Sequence, residues 1–163
     1  MDQSNQRALD VLLAHGATAA TDITGFGLLG HLAEMLQSLD LGVDLQLQQL
    51  PMFDGVADLL DAKVYSSLQA ANRGVLSRYQ LLSSSSDPGA ASEPQSPPVQ
   101  RWLELACDPQ TSGGLLAALP ADRARDCVQA LRDAGYPAAA DVGLVTASGW
   151  RLLLQSKGAE ASN

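Results

Sequence analysis

The stretch ATDITGFGLLGH, residues 20–31, decides the fold and is called the first glycine motif here. Small, β-tolerant residues predict a buried strand over 17–23, and apolar residues at helical spacing predict a helix over 26–36. Before the strand, apolar side chains on one side of a helical wheel predict a helix over 5–15, which Gly16 ends as a left-handed cap. The unit is helix, strand, glycine turn, helix.

The three glycines of the first glycine motif allow two chemical interpretations. They satisfy Gly-x-Gly-x-x-Gly, and Asp44 follows about 20 residues later, which is typical of a dinucleotide-binding turn. Against this alternative, Thr21, Asp22 and Thr24 crowd the end of the strand, where a Rossmann fold needs apolar residues.

Asp22 is the more informative residue of this motif. A carboxylate beside a glycine turn repels a bare pyrophosphate, but it becomes useful when a divalent cation bridges carboxylate and phosphate oxygens. This favours a metal–nucleotide, and the alternative is that Asp22 or Thr24 only caps the helix. Phe26 and Leu29 are expected in the core, and His31 is expected to be packed or hydrogen-bonded rather than a ligand.

A second glycine motif, DPQTSGGLL, occupies residues 108–116. Pro109 stiffens the chain, Thr111 and Ser112 carry hydroxyl groups, and Gly113-Gly114 allows a close backbone approach. Such a loop can cradle a phosphate, bind a neighbouring backbone, or form a tight turn into a strand.

The remaining pattern predicts an α+β fold, with helices packed on a mixed β-sheet. Alternation predicts a strand over 43–47, and Asp54 is placed to cap a helix over 55–62. Residues 83–98, rich in Ser and Pro, predict a disordered loop. The second half is read as helix 102–107, strand 114–119, helix 122–134 ended by Gly135, and strands 140–145 and 150–154.

Composition predicts one domain over residues 1–163, with a core built from aliphatic side chains. The chain is 46% hydrophobic but only 4% aromatic. Its formal net charge of −8 argues against binding nucleic acid or an anionic membrane, and the lack of a long apolar stretch predicts a cytoplasmic protein. Cys107 and Cys127 lack metal-site spacing and are expected to be reduced and structural.

Together, ATDITGFGLLGHLAEM (residues 20–35) and DPQTSGGLLAALP (residues 108–120) closely resemble the C-terminal domain of selenophosphate synthetase, or selenide, water dikinase. That family belongs to the aminoimidazole ribonucleotide synthetase superfamily. The resemblance extends to the segment around Asn72 and Arg73 and to the closing β-α-β-β run, so it covers nearly the whole chain.

The resemblance implies an enzyme that makes selenophosphate, AMP and orthophosphate from selenide, ATP and water with Mg²⁺. ATP and its metal ions would lie between an N-terminal domain, absent from this chain, and a C-terminal domain like this one. Asp22 would be a metal ligand, and no catalytic residue is expected in this chain. The residues implied near the nucleotide cleft are Thr24, Gly25, Gly27, Asp108, Thr111, Ser112, Gly113 and Gly114.

The isolated chain is therefore expected to be inactive, and the full-length enzyme is expected to be a homodimer. The alternatives are a non-catalytic binding or assembly module and another ATP-using member of the superfamily.

Overall fold

The structure is a computed structural model that describes residues 4–84 and 97–155. It confirms an α+β fold, in which helices pack against a mixed β-sheet. The elements are α1 Gln6–Ala14, β1 Ala19–Asp22, α2 Gly27–Leu36, β2 Gly42–Gln46, α3 Val56–Asp61, α4 Gln69–Asn72, β3 Gln80–Ser84, α5 Pro97–Cys107, β4 Leu115–Ala118, α6 Ala124–Asp133, β5 Gly143–Thr146 and β6 Trp150–Gln155. No described helix has the length and apolar character needed to cross a membrane.

The larger sheet has four strands in the order β3-β6-β2-β5, and it carries the core. β6 is parallel to both β2 and β3, whereas β5 runs antiparallel to β2. The predicted alternation in β2 is confirmed, because Val43 and Leu45 are buried. Between them, Asp44 lies on the opposite face and pairs with Arg151 of the neighbouring strand.

Helices α2 and α5 pack against each other and contribute to the same apolar core as this sheet. The spacing of Leu29, Leu32 and Leu36 along α2 places all three on its buried side. The main core consists of aliphatic residues and one cysteine: Leu29, Leu32, Leu36, Val43, Leu45, Leu47, Leu50, Val99, Leu103, Ala106, Cys107, Leu116, Leu152 and Leu154.

The smaller sheet contains only β1 and β4, which run antiparallel with Asp22 opposite Leu115. Three of the four β1 residues are exposed, so the prediction of a buried strand is wrong. The physical reason is that β1 pairs with one strand only and lies outside the larger sheet. The dinucleotide alternative is also wrong, because within the described part of the chain β1 pairs with the antiparallel β4 alone, and Asp44 is engaged by Arg151.

Two local predictions need correction. α3 begins after Gly55, whose φ of +83° places it in the left-handed region, and no side chain caps the helix, so Asp54 is not its cap. The ends of the predicted loop 83–98 belong to secondary structure, since β3 runs to Ser84 and α5 begins at Pro97. Residues 85–96 of that loop lie outside the described residues.

Candidate functional site

The two glycine motifs lie side by side and are joined through their backbones. Gly113 N–H donates to the carbonyl oxygen of Ile23 at 3.1 Å, and Ile23 N–H donates to Gly114 at 3.0 Å. Gln110 N–H donates to the carbonyl oxygen of Thr24, also at 3.0 Å. Of the uses predicted for the second glycine motif, the structure therefore shows the binding of a neighbouring backbone.

Two glycines make this contact possible by leaving out a side chain. A Cβ on Gly113 would lie 2.4 Å from the carbonyl oxygen of Ile23. Gly27 has φ of +67°, and its Cβ would lie 2.8 Å from the carbonyl of Cys107. Gly25 and Gly114, in contrast, have no atom within 4 Å of a built Cβ. Gly27 and Gly113 are thus needed for packing, while Gly25 and Gly114 border open space.

Asn72 ties the two motifs together, and its role was not predicted from the sequence. Its side-chain nitrogen donates to the carbonyl oxygen of Gly25 at 2.8 Å and to that of Cys107, just before the second glycine motif, at 3.0 Å. These partners are 47 and 35 residues away along the chain, so no local pattern indicates the contact. In the sequence, this role was indicated only by the resemblance of the segment around Asn72 to the family.

An ion pair between Arg73 and a buried carboxylate, Glu104, fixes the segment that carries Asn72. Glu104 on α5 is 1% exposed and accepts hydrogen bonds from Arg73 Nε at 3.0 Å and from Gln69 Nε2 at 2.8 Å. The hydrogen bond to Glu104 raises the pKa of Arg73, since the carboxylate stabilises the charged guanidinium. The Asn72 side chain is thereby held between two anchored neighbours.

Asp22 lies at the exposed end of β1. Asn5 Nδ2 donates to its Oδ1 at 2.9 Å, and no described residue hydrogen-bonds Oδ2. The described residues contain no group of three or more His, Cys, Asp or Glu side chains that could hold a metal ion. An exposed carboxylate with one open oxygen fits a single protein ligand of Mg²⁺, which usually keeps several waters and phosphate oxygens.

The second glycine motif places Asp108 in a half-buried position and its two hydroxyl residues at the surface. Burial raises the pKa of Asp108, and a hydrogen bond of 2.7 Å from Gln110 Nε2 opposes that shift. Thr111 and Ser112 are exposed. Together with Gly114, they are the exposed residues of this loop.

Behind the first glycine motif, Thr24 and His31 share a side-chain hydrogen bond, and His31 lies within ion-pair distance of Glu34. Thr24 Oγ1 lies 3.0 Å from His31 Nε2, and His31 Nδ1 lies 3.0 Å from Glu34 Oε2. His31 is 7% exposed, whereas Thr24 is exposed. The prediction that His31 is packed and hydrogen-bonded is therefore confirmed.

A surface groove of about 340 Å³ opens beside the same turn. Phe26 is 58% exposed there, so the prediction that it belongs to the core is wrong, while Leu29 is fully buried as predicted. Phe26 lies against Gly30, and both residues line the groove rather than the core. The groove is lined by Phe26, Gly30, Ala33, Glu34, Gln37, Ala71, Asn72, Gly74, Val75 and Arg78.

Both cysteines are buried and free, as predicted. Burial raises the pKa of the Cys107 thiol to about 12, so at neutral pH it is protonated and a poor nucleophile. This agrees with a structural role.

The fold and site define an α+β domain with an exposed carboxylate beside two joined glycine loops. The profile of the family described as AIR synthase related protein, C-terminal domain, matches residues 1–151. The chain belongs to this family.

Curated relatives narrow the resemblance and confirm the similarity to selenophosphate synthetases. The chain is similar to the selenide, water dikinase of Carboxydothermus hydrogenoformans, with 34% identity over 95% of this chain and 41% of that protein. It is 37% identical to the selenide, water dikinase of Pelobacter propionicus over 78% of this chain and 33% of that protein. It is 31% identical to the selenide, water dikinase of Pseudomonas straminea over 88% of this chain and 37% of that protein. The chain thus spans 33–41% of the length of these three relatives.

Proposed function

We propose that this chain is the C-terminal domain of an ATP-dependent selenophosphate synthetase and forms one wall of a cleft for Mg–ATP. The proposal rests on one observation: backbone hydrogen bonds join the two glycine motifs next to Asp22. The backbone contacts of Gly113 and Gln110 with residues 23 and 24 place a carboxylate, two hydroxyl residues and an open glycine turn on joined segments. Carboxylate, hydroxyl and backbone groups are the protein groups used around metal-bound phosphates.

Under this proposal, Asp22 holds one Mg²⁺ ion together with the phosphates of ATP. Its Oδ1 is oriented by Asn5, which leaves Oδ2 to meet the cation. Bound Mg²⁺ would neutralise charge on the phosphoryl group that is transferred. Thr24, Gly25, Thr111, Ser112 and Gly114 would line the nucleotide side of the cleft, while Gly27 and Gly113 shape it from behind and Asp108 borders it.

The remaining ligands and the nucleophile belong to the N-terminal domain in this proposal. Phosphoryl transfer needs several groups placed around the transferred phosphate, and one carboxylate with two loops cannot provide that environment. The isolated chain is therefore expected to be inactive, and the full-length enzyme is expected to be a cytoplasmic homodimer.

The test compares three preparations in an assay of selenide-dependent AMP formation: the 163-residue chain, the N-terminal domain, and a protein that contains both. We expect turnover only when both domains are present. AMP formation by the chain alone would overturn the division of labour proposed here. No turnover by the two-domain protein, despite binding between the domains, would favour a non-catalytic assembly module.

A further inference from the structure

The side chain of Asn5 serves Asp22 and not its own helix. Asn5 directly precedes α1, a position where asparagine commonly accepts a hydrogen bond from a backbone N–H of the first turn. Here it makes no such bond, and its Nδ2 donates to Asp22 Oδ1 at 2.9 Å. Because a carboxylate oxygen only accepts, the amide of Asn5 must present its nitrogen to Asp22.

The hydroxyl group of Tyr136 satisfies an N–H group that Asn5 leaves without a cap. It accepts a hydrogen bond from the N–H of Ala8, in the first turn of α1, at 3.0 Å. The same hydroxyl donates to the carbonyl oxygen of Ser4 at 2.6 Å. Ser4 and Ala8 flank Asn5 in the sequence, although Tyr136 is 128 residues from Ala8. One hydroxyl group thus holds the chain on both sides of Asn5.

Tyr136 is itself held in place by the end of α6. Gly135 follows that helix with φ of +98°, and its N–H donates to the carbonyl oxygen of Arg132 at 3.0 Å. The N–H of Tyr136 donates to the carbonyl oxygen of Leu131, also at 3.0 Å. These two bonds form a Schellman motif, in which a left-handed glycine ends the helix. The backbone of Tyr136 is therefore fixed, and its hydroxyl anchors the start of α1 to the end of α6.

We propose that Tyr136 is a positioning residue for the metal ligand Asp22 and that it acts through Asn5. The inference rests on the proposed function and deepens it, since Asp22 is the ligand assigned there. Among the described residues, Asn5 is the one side chain that hydrogen-bonds the Asp22 carboxylate. A hydrogen bond to a ligating carboxylate orients it and strengthens metal binding. Loss of the Tyr136 hydroxyl would loosen the segment that carries Asn5, so Asp22 would be oriented less firmly.

The contact is tested on the 163-residue chain by ¹H–¹⁵N NMR of the asparagine side-chain amides. Tyr136→Phe removes one hydroxyl and keeps the ring, and it should shift the Asn5 side-chain resonances. The Asn72 side-chain resonances are the internal reference and should stay in place. Tyr65→Phe is the matched control, because it removes a hydroxyl that donates to the carbonyl oxygen of Leu60 at 3.4 Å, and it should leave Asn5 unchanged. Unmoved Asn5 resonances in Tyr136→Phe would overturn the inference.

The role in metal binding is tested in the full-length synthetase by the Mg²⁺ concentration that gives half-maximal selenide-dependent AMP formation. Tyr136→Phe should raise this concentration about three- to tenfold, the effect of one hydrogen bond, and change kcat at saturating Mg²⁺ less than about twofold. Tyr65→Phe should leave both values unchanged. A loss of kcat that excess Mg²⁺ does not restore would contradict the proposal, because it would show a structural role alone.

Asn5→Ala supplies the decisive comparison, because Tyr136 is proposed to act through Asn5. This variant should raise the Mg²⁺ requirement about tenfold. The double variant Asn5→Ala/Tyr136→Phe should need no more Mg²⁺ than Asn5→Ala, since the two residues form one chain of contacts. Additive effects would show that Tyr136 acts by another route and would overturn the inference.

The outcomes separate this inference from the function on which it rests. A wild-type full-length protein that makes no selenophosphate defeats the proposed function, and the NMR result still decides whether Tyr136 holds Asn5 against Asp22. An active wild type whose Mg²⁺ requirement is unchanged by Tyr136→Phe defeats this inference alone.

Discussion

The two β-sheets of this domain differ in what covers them. In the four-stranded sheet, Leu45 and Leu152 on the central strands are each 1% exposed, beneath helices α2 and α5. In the two-stranded sheet, three of the four β1 residues are exposed, and the strand ends at Asp22. The first sheet carries most of the core, and the second holds Asp22 at its exposed end.

This difference teaches how a chain with few aromatic residues can hold an exposed site rigid. The glycine motifs are fixed by short backbone contacts and by Asn72, rather than by a covering layer. These contacts are anchored in the main core through α5, which carries both Cys107 and Glu104. We therefore expect substitutions in the two regions to differ in how much they lower the free energy of unfolding and in which property they change.

The largest effect is expected from a cavity in the four-stranded sheet. Leu152→Ala should lower the free energy of unfolding by about 2–5 kcal/mol, because it leaves a void in a closed core. The matched variant Leu115→Ala, at the partly exposed start of β4, should cost only about 1 kcal/mol. Urea unfolding measures both values, and equal losses would contradict the distinction between the sheets.

The next effect concerns the contact between the glycine motifs. Gly113→Ala should cost about 1–3 kcal/mol, because its Cβ would lie 2.4 Å from the carbonyl oxygen of Ile23 and force the loops apart. Gly114→Ala is the matched control and should change stability by less than about 0.5 kcal/mol, since its Cβ enters open space. If the two variants unfold at the same urea concentration, the loops are not joined as described.

A smaller effect is expected when the amide that ties the motifs is removed. Asn72→Ala should cost about 1–2 kcal/mol, because the carbonyl oxygens of Gly25 and Cys107 lose their partner. It should also speed the reaction of Cys107 with a thiol reagent, with Cys127 as the internal reference. The control Ser77→Ala removes an exposed hydrogen bond to Gly74 and should leave that rate unchanged.

The smallest effect is a change in the pH dependence of stability at Asp108. Because burial raises the pKa of this carboxyl in the folded state, its contribution to stability is full below the unfolded value and is lost as pH rises through the folded value. Asp108→Asn should remove that loss and slightly raise the thermal midpoint at pH 7. Thermal unfolding between pH 3.5 and 7 measures it, and a lower midpoint at pH 7 would show that the ionised carboxylate is stabilising instead.

Sequence patterns predict the elements of this fold well where the periodicity of one element is enough to show which of its residues are buried. The alternation of Val43 and Leu45 marks a half-covered strand, and the helical spacing of Leu29 and Leu32 marks the buried side of α2. The burial of β1 could not be predicted in this way, because it depends on whether a distant strand joins the larger sheet. Phe26 failed for a similar reason, since its spacing fits a core position, but the distant segment around Asn72 and Val75 leaves an open groove beside it.

In the candidate site, too, local features could be predicted and long-range contacts could not. The two motifs and Asp22 can be found from residue types, because glycine, hydroxyl and carboxylate groups indicate phosphate and metal chemistry. The long-range contacts that join the motifs cannot, since Asn72 and Glu104 meet their partners across more than 30 residues. The hydrogen bond between Thr24 and His31 lies within one segment, but the spacing alone did not reveal it.

The most direct test of the central claim is the rate of selenide-dependent AMP formation by the full-length synthetase carrying Asp22→Asn. The account predicts a loss of activity of at least about 100-fold with an unchanged unfolding midpoint, because the substitution changes the proposed metal ligand at an exposed position. The control Asp54→Asn, an exposed aspartate before α3, should keep wild-type activity. Full activity in Asp22→Asn would show that the exposed carboxylate beside the joined glycine motifs is not part of the site.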